Sequence, residues 1–168
     1  GVQHKYSKAE SDAAKAAGDP YWLLRRYRLM WNDVKYEAGE VKVVTTDKRS
    51  ASIHTAGKPH HIELVPDRTA IAADGEDLCY VTVRIVDKDG NLCPNAANLV
   101  TFSVKGAGSF RAAANGDASN LDLFHLPRHH AFAGQLTAIV QSGGAAGTIT
   151  LEASAKGMKK GILTITTN

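Results

Sequence analysis

Beyond Pro59 the chain alternates apolar and polar residues with period two, in segment after segment. Ile62 and Leu64 alternate with His61 and Glu63, Val81, Val83 and Ile85 with Thr82 and Arg84, and Val100, Phe102 and Val104 with Thr101 and Ser103. The rhythm returns at Leu136, Ala138 and Val140, at Ile149, Leu151 and Ala153, and at Leu163 and Ile165. Successive side chains of a strand point to opposite faces, so this pattern describes strands covered on one side only. Turn signals at Asp74-Gly75, Asp89-Gly90, Gly106 to Gly108, Gly143-Gly144 and Gly157 separate the segments. Short strands punctuated in this way predict an all-β domain, an immunoglobulin-like antiparallel β-sandwich over residues 59–168. No helical repeat or heptad competes with it.

The chain before Pro59 has a different texture. Residues 1–20 are rich in Ala, Lys, Ser and Asp and end in Gly18-Asp19-Pro20. Ser11 to Ala17 has the length of a helical turn but no apolar face, so the segment reads as a loop, disordered or briefly helical. From Tyr21 the alternation is strand-like, with Tyr27, Leu29 and Trp31 on a core-facing side and Arg26 and Arg28 opposite. Val41 and Val43 begin a second strand, Asp47 to Ser50 turns, and Ser52 to Thr55 returns. Ala56-Gly57-Lys58-Pro59 reads as an inter-domain joint, because Gly and Pro break both strand and helix. Three strands hardly make an independent sandwich. Residues 21–58 are therefore expected to be the C-terminal strands of a preceding, truncated sandwich whose beginning lies upstream.

Hydrophobic residues make up 43% of the 168, enough for a real core, and the net charge is only +3. The nearest approach to a basic patch, Arg25, Arg26 and Arg28, is split between two faces of one strand, so no nucleic-acid partner is expected. No stretch approaches the ~20 apolar residues of a membrane helix, and the polar N-terminus is no signal peptide. Cys79 and Cys93 stand at the far end of one strand and just past the turn at its other end. That separation is roughly 20 Å at ~3.3 Å per residue, against the ~7 Å a disulfide tolerates. Two free thiols are expected.

The chain contains several arrangements that carry chemistry elsewhere. His125, His129 and His130 crowd one segment and His60-His61 another, but Pro127 interrupts the helical spacing that zinc would need, and the run reads as a solvated loop. Asp87-Lys88-Asp89-Gly90-Asn91 resembles half of a calcium loop in the wrong register and reads as a tight turn. There is no nucleophile elbow and no complete dinucleotide fingerprint. Glycoside cleavage needs two carboxylates about 5–9.5 Å apart, one of raised pKa, whereas the acids that can be placed here sit in turns or on exposed faces. No catalytic residue, metal ligand or cofactor is expected. The candidates for carbohydrate contact are Trp22, whose parity is opposite to Trp31, and Asn115 and Asp117 of Asn115-Gly116-Asp117, which also fits an Asx turn.

Two groups of motifs resemble a known family. Tyr27-Arg28-Leu29-Met30-Trp31, Val34 to Val44 and Thr55-Ala56-Gly57-Lys58-Pro59 resemble the domain that follows the catalytic barrel in bacterial glycoside hydrolase family 2 β-galactosidases. Ile62-Glu63-Leu64, Pro66-Asp67-Arg68, Val86 to Asn91, Asn115-Gly116-Asp117, Ala131-Phe132-Ala133-Gly134 and Ala138 to Ser142 resemble the additional immunoglobulin-like domain behind it. The resemblance implies a retaining glycosidase with two catalytic glutamates on a barrel. A barrel takes ~250 residues, so this machinery is expected upstream. The chain itself is then a non-catalytic accessory module of a periplasmic or extracellular β-galactosidase, partnered by that enzyme's other domains. Two alternatives stay open: a carbohydrate-binding module, with glycans as partners, and a cell-surface adhesion domain.

Overall fold

The computed structural model describes residues 2–4, 7–23, 30–32 and 34–168. They belong to two compact units, Gly1–Glu40 and Val41–Asn168. Leu24, Arg25, Arg26, Tyr27, Arg28 and Leu29 lie outside the described residues, and with them the three arginines split between two faces and part of the expected first core face.

In the first unit, β1 (Val2–His4) pairs antiparallel with β2 (Met30–Asn32), with Gln3 opposite Trp31. Between them runs the helix α1 (Lys8–Ala16), longer than the brief helical turn that Ser11 to Ala17 suggests. The helix owes its start to a capping box. Glu10 N–H donates to Ser7 Oγ at 3.2 Å, and Ser7 N–H donates to Glu10 Oε2 at 2.7 Å. In place of an apolar stripe it has buried Ser11, whose hydroxyl donates to the Trp22 carbonyl at 3.1 Å, and Lys15, whose Nζ lies 4.6 Å above the Trp22 ring. Trp31, expected in a core, is 39% exposed. A face becomes core only when a second layer covers it, and a three-residue strand pair supplies none.

The second unit opens with a two-stranded ribbon, β3 (Glu40–Val44) and β4 (Ser50–His54), in which every residue is exposed. The sandwich comes next. One sheet has the order β5 (His61–Pro66), β7 (Leu78–Val86), β11 (Gln135–Ser142), β9 (Gly108–Ala114). The other runs β10 (Arg128–His130), β8 (Leu99–Gly106), β12 (Gly147–Ser154), β13 (Gly161–Thr167), β6 (Ala70–Ile71). All pairings are antiparallel except β13 with β6. The chain therefore leaves the first sheet after β5 and joins the second as β6, as immunoglobulin-like sandwiches do.

Register puts like with like. Ile62 faces Ile85 and Leu64 faces Val83 across β5 and β7. Leu136, Ala138 and Val140 stand opposite Val83, Val81 and Cys79 across β11 and β7. In the second sheet Ile149 and Leu151 face Ile165 and Leu163, and Ala153 faces Phe102. The inward residues form one core, and the positions assigned to it by alternation, Val83, Ile85, Phe102, Val140 and Leu151, are all buried. The β-branched residues fit because a half-buried pleated face favours them. Phe102 stacks on Phe110 with centroids 5.5 Å apart and rings 19° from parallel. That pair closes the core between β8 and β9.

Candidate functional site

Two polar clusters of the second unit contain the candidates that the sequence offers there. The first is the joint. Ala56 packs on the core and Gly57 N–H donates to Asp87 Oδ2 at 2.7 Å. Asp87 stands one residue beyond β7 and is buried, not exposed as the sequence led us to expect. Its Oδ1 accepts the N–H groups of Asp89 and Asn91, each at 2.9 Å, and its Oδ2 also accepts the Asn91 side-chain amide at 3.1 Å. These donors, the Gly57 amide foremost, hold the carboxyl far below the usual carboxylate range. The tight turn is completed by Gly90 at φ +85°. An open cleft of about 380 Å³ lies over this turn, lined by Gly57, Lys58, His60, Asp87, Lys88 and Asp89. Its one buried carboxylate, Asp87, is fully engaged by the turn's own donors.

The second feature is the long loop from Asn115 to Pro127 with the short strand β10. Asn115 uses both ends of its amide, Nδ2 donating to the His130 carbonyl at 2.8 Å and Oδ1 accepting from Asp117 N–H at 2.9 Å. Asp117 Oδ1 accepts from the Ser119 hydroxyl and N–H, which keep its carboxyl below the ordinary range. Asp122 Oδ2 accepts the His130 N–H at 2.8 Å and lies 2.8 Å from His130 Nδ1, and these two contacts lower its pKa as well.

His129 departs from the expected solvated loop. It is 1% exposed, with Asp122 Oδ2 at 3.7 Å from its Nδ1 and the Phe124 ring 6.0 Å away. A strand alternates where a helix would align i and i+4, so β10 sends His129 inward and leaves His130 outward. Burial pushes the pKa of His129 down, against an opposing pull from Asp122. Among the described residues no group of three His, Cys, Asp or Glu side chains is placed to hold a metal ion.

The chemistry available is therefore narrow. Among the described residues each carboxylate whose proton affinity the fold shifts, Asp47, Asp74, Asp77, Asp87, Asp117 and Asp122, is shifted downward. A general acid for glycoside cleavage needs the opposite. Both thiols are free and buried. Burial pushes Cys79 up to about 11 and raises Cys93 too, so neither is a thiolate nucleophile. Of the carbohydrate candidates, Trp22 is half-buried under Lys15 in the first unit, while Asn115 and Asp117 hold their own loop together. The burial of Asp87 and His129 is not apparent from the sequence. Asp87 prolongs an apolar run into an Asx-like turn, the only signal it carries.

Fold and site together define an immunoglobulin-like sandwich module whose polar groups stabilise its own loops. Residues 62–164 match glycoside hydrolase family 2 C-terminal domain 5, and the chain belongs to that family. It is 40% identical over 136 residues to the β-galactosidase BoGH2A of Bacteroides ovatus, a match covering 79% of this chain and 16% of that protein. It is 27% identical over 100 residues to a β-glucuronidase of Formosa agariphila, covering 56% of this chain and 10% of that one. A crystal structure of a family 2 glycosyl hydrolase from Bacteroides cellulosilyticus superposes with a TM-score of 0.77 at 32% identity, covering 80% of this chain and 18% of that one. The chain thus spans under a fifth of the length of these relatives. No helix among the described residues is long and apolar enough to cross a membrane.

Proposed function

We propose that the chain is the non-catalytic C-terminal accessory part of a secreted, retaining β-galactosidase that removes terminal β-galactosides from glycans in the periplasm or outside the cell. In this reading residues 59–168 are the additional immunoglobulin-like domain, and residues 21–58 are the last strands of the sandwich before it. The observation that carries the reading is the family match over residues 62–164, and the shifted carboxylates among the described residues all move away from general-acid behaviour. The fully exposed ribbon of β3 and β4 supports the second half. Two strands alone are marginal in water, and Val41, Val44 and Ile53 at its surface await a layer that an upstream sheet would supply. The module's role is to pack against neighbouring domains and extend the enzyme's architecture.

The test compares the 168-residue chain with the full polypeptide encoded around it, on nitrophenyl β-galactoside and nitrophenyl β-glucuronide. Turnover of the galactoside by the full polypeptide and none by the chain is expected. Turnover by the chain alone would sink the accessory role. A full polypeptide that cleaves only the glucuronide would sink the galactosidase assignment and leave the module in place.

A further inference from the structure

The loop between β9 and β10 is held rigid by polar side chains, yet it displays apolar ones, and Phe132 just beyond β10 adds to them. Leu121 is 93% exposed, Phe124 62%, Leu123 56% and Phe132 48%. Single exposed apolar residues are ordinary, but four within one twelve-residue stretch mark an interaction surface. The stretch is not slack. Asn120 Oδ1 accepts from Asp122 N–H at 2.6 Å, Phe124 C=O accepts from Ala113 N–H at 2.8 Å, and Pro127 C=O accepts from Phe102 N–H at 2.8 Å.

Register places this surface at one pole of the sandwich. β5 begins at His61 opposite Val86, the end of β7, and β11 begins at Gln135 opposite Arg84. β9 ends at Ala114 opposite Thr137, and β10 ends at His130 opposite Leu99, where β8 begins. Ala131 N–H donates to the Asn98 carbonyl and Gly134 N–H to the Ala96 carbonyl. The strand ends that carry the loop are thus the same ends at which the chain arrives from the joint.

We infer that Leu121, Leu123, Phe124 and Phe132 form the docking surface for the preceding sandwich domain of the same polypeptide, which the joint delivers to this pole. The inference rests on the reading of the chain as a module of a larger glycosidase. Three observations favour that occupant. The relatives carry more than four-fifths of their length outside the matched region. The joint residues 56–59 span at most ~14 Å even when extended, and Ala56 and Gly57 are anchored to the core and to Asp87, so a body attached there stays close. Asn115, Asp117, Asn120 and Asp122 spend their side chains on the loop and on β10, leaving an apolar face that suits a protein surface better than a sugar, which calls for converging polar groups.

The experiment uses the full polypeptide with p-benzoylphenylalanine in place of Leu121, of Phe124, or of Ala146 at the opposite pole as a control. Each variant is assayed on nitrophenyl glycosides, irradiated and mapped by mass spectrometry. Expected are active enzymes in which positions 121 and 124 crosslink within the same molecule, to the preceding sandwich domain, several-fold more than position 146. Crosslinks into a second copy or another domain, or yields no higher than at Ala146 in an active enzyme, overturn the docking surface and leave the module reading intact. A full polypeptide carrying no glycosidase activity before substitution overturns the module reading and the docking inference together.

Discussion

Asp87 has four donors on two oxygens, and no other side chain of its size can serve them all. In Asp87→Asn one oxygen becomes an amide nitrogen that faces an N–H, leaving buried donors unpaired. The native carboxyl titrates far below the ordinary value, so its stabilisation is complete above the unfolded pKa of about 4 and fades as pH falls through and below it. Asp87→Asn is therefore expected to lower the urea midpoint at pH 7, with the gap to the native chain narrowing steadily as pH falls below about 4. A gap independent of pH would show that the charge contributes nothing. Phe102 tests the core by volume alone. It is 4% exposed and stacked on Phe110, so Phe102→Ala should cost ~3–5 kcal/mol in urea denaturation. A cost below about 1 kcal/mol would mean that the ring does not face the core.

Among the elements, those that keep strict alternation are legible in the sequence, and those that break it are not. β12 shows one apolar parity from end to end, and β7 and β11 keep it over Cys79 to Ile85 and Leu136 to Val140 with only Tyr80 and Ile139 out of phase, and the inward residues are buried accordingly. β9 is different. Phe110 faces Val140 and Ala113 faces Ala138, three positions matched to two, because a bulge lies between them. Phe110 and Ala113 both reach the core only through that bulge, and no period-two reading of Gly-Ser-Phe-Arg-Ala-Ala-Ala finds it. β10 is too short to show a period, so nothing in its sequence separates the buried His129 from a loop residue. The helix α1 does carry a local signal, Ser7-x-x-Glu10, but lacks the apolar stripe that usually confirms one. The turn from β8 to β9 is legible because glycine is required there. Gly106 has φ +95°, and a Cβ on it would lie 2.0 Å from the Thr148 carbonyl oxygen. Gly106→Ala should cost ~2 kcal/mol or more. Gly157→Ala, also at positive φ but in open space, should cost ~1 kcal/mol. Equal urea midpoints for the two would refute the close approach of β12.

For the molecule as a whole, the core belongs to residues 56–165, and among the described residues none before Ala56 contributes a side chain to it. Removing residues 1–40 is therefore expected to leave a chain that still unfolds in one cooperative step at an unchanged midpoint by circular dichroism. A broad or lowered transition would mean that the first unit supports the second. The core is readable from sequence because alternation reports burial directly. The apolar loop face is not, because exposure of Leu121 and Phe124 depends on which neighbours the topology withholds from them. The parallel pairing of β13 with β6 has a consequence of its own. Residues 166 and 167 are paired into the sheet beside Ala70 and Ile71, and Thr167 is buried opposite Gly147. The last strand thus runs ~20 Å away from the joint before the backbone is released. The entering and leaving ends of the sandwich therefore lie at opposite tips, and any segment joined behind Asn168 would depart from the far one.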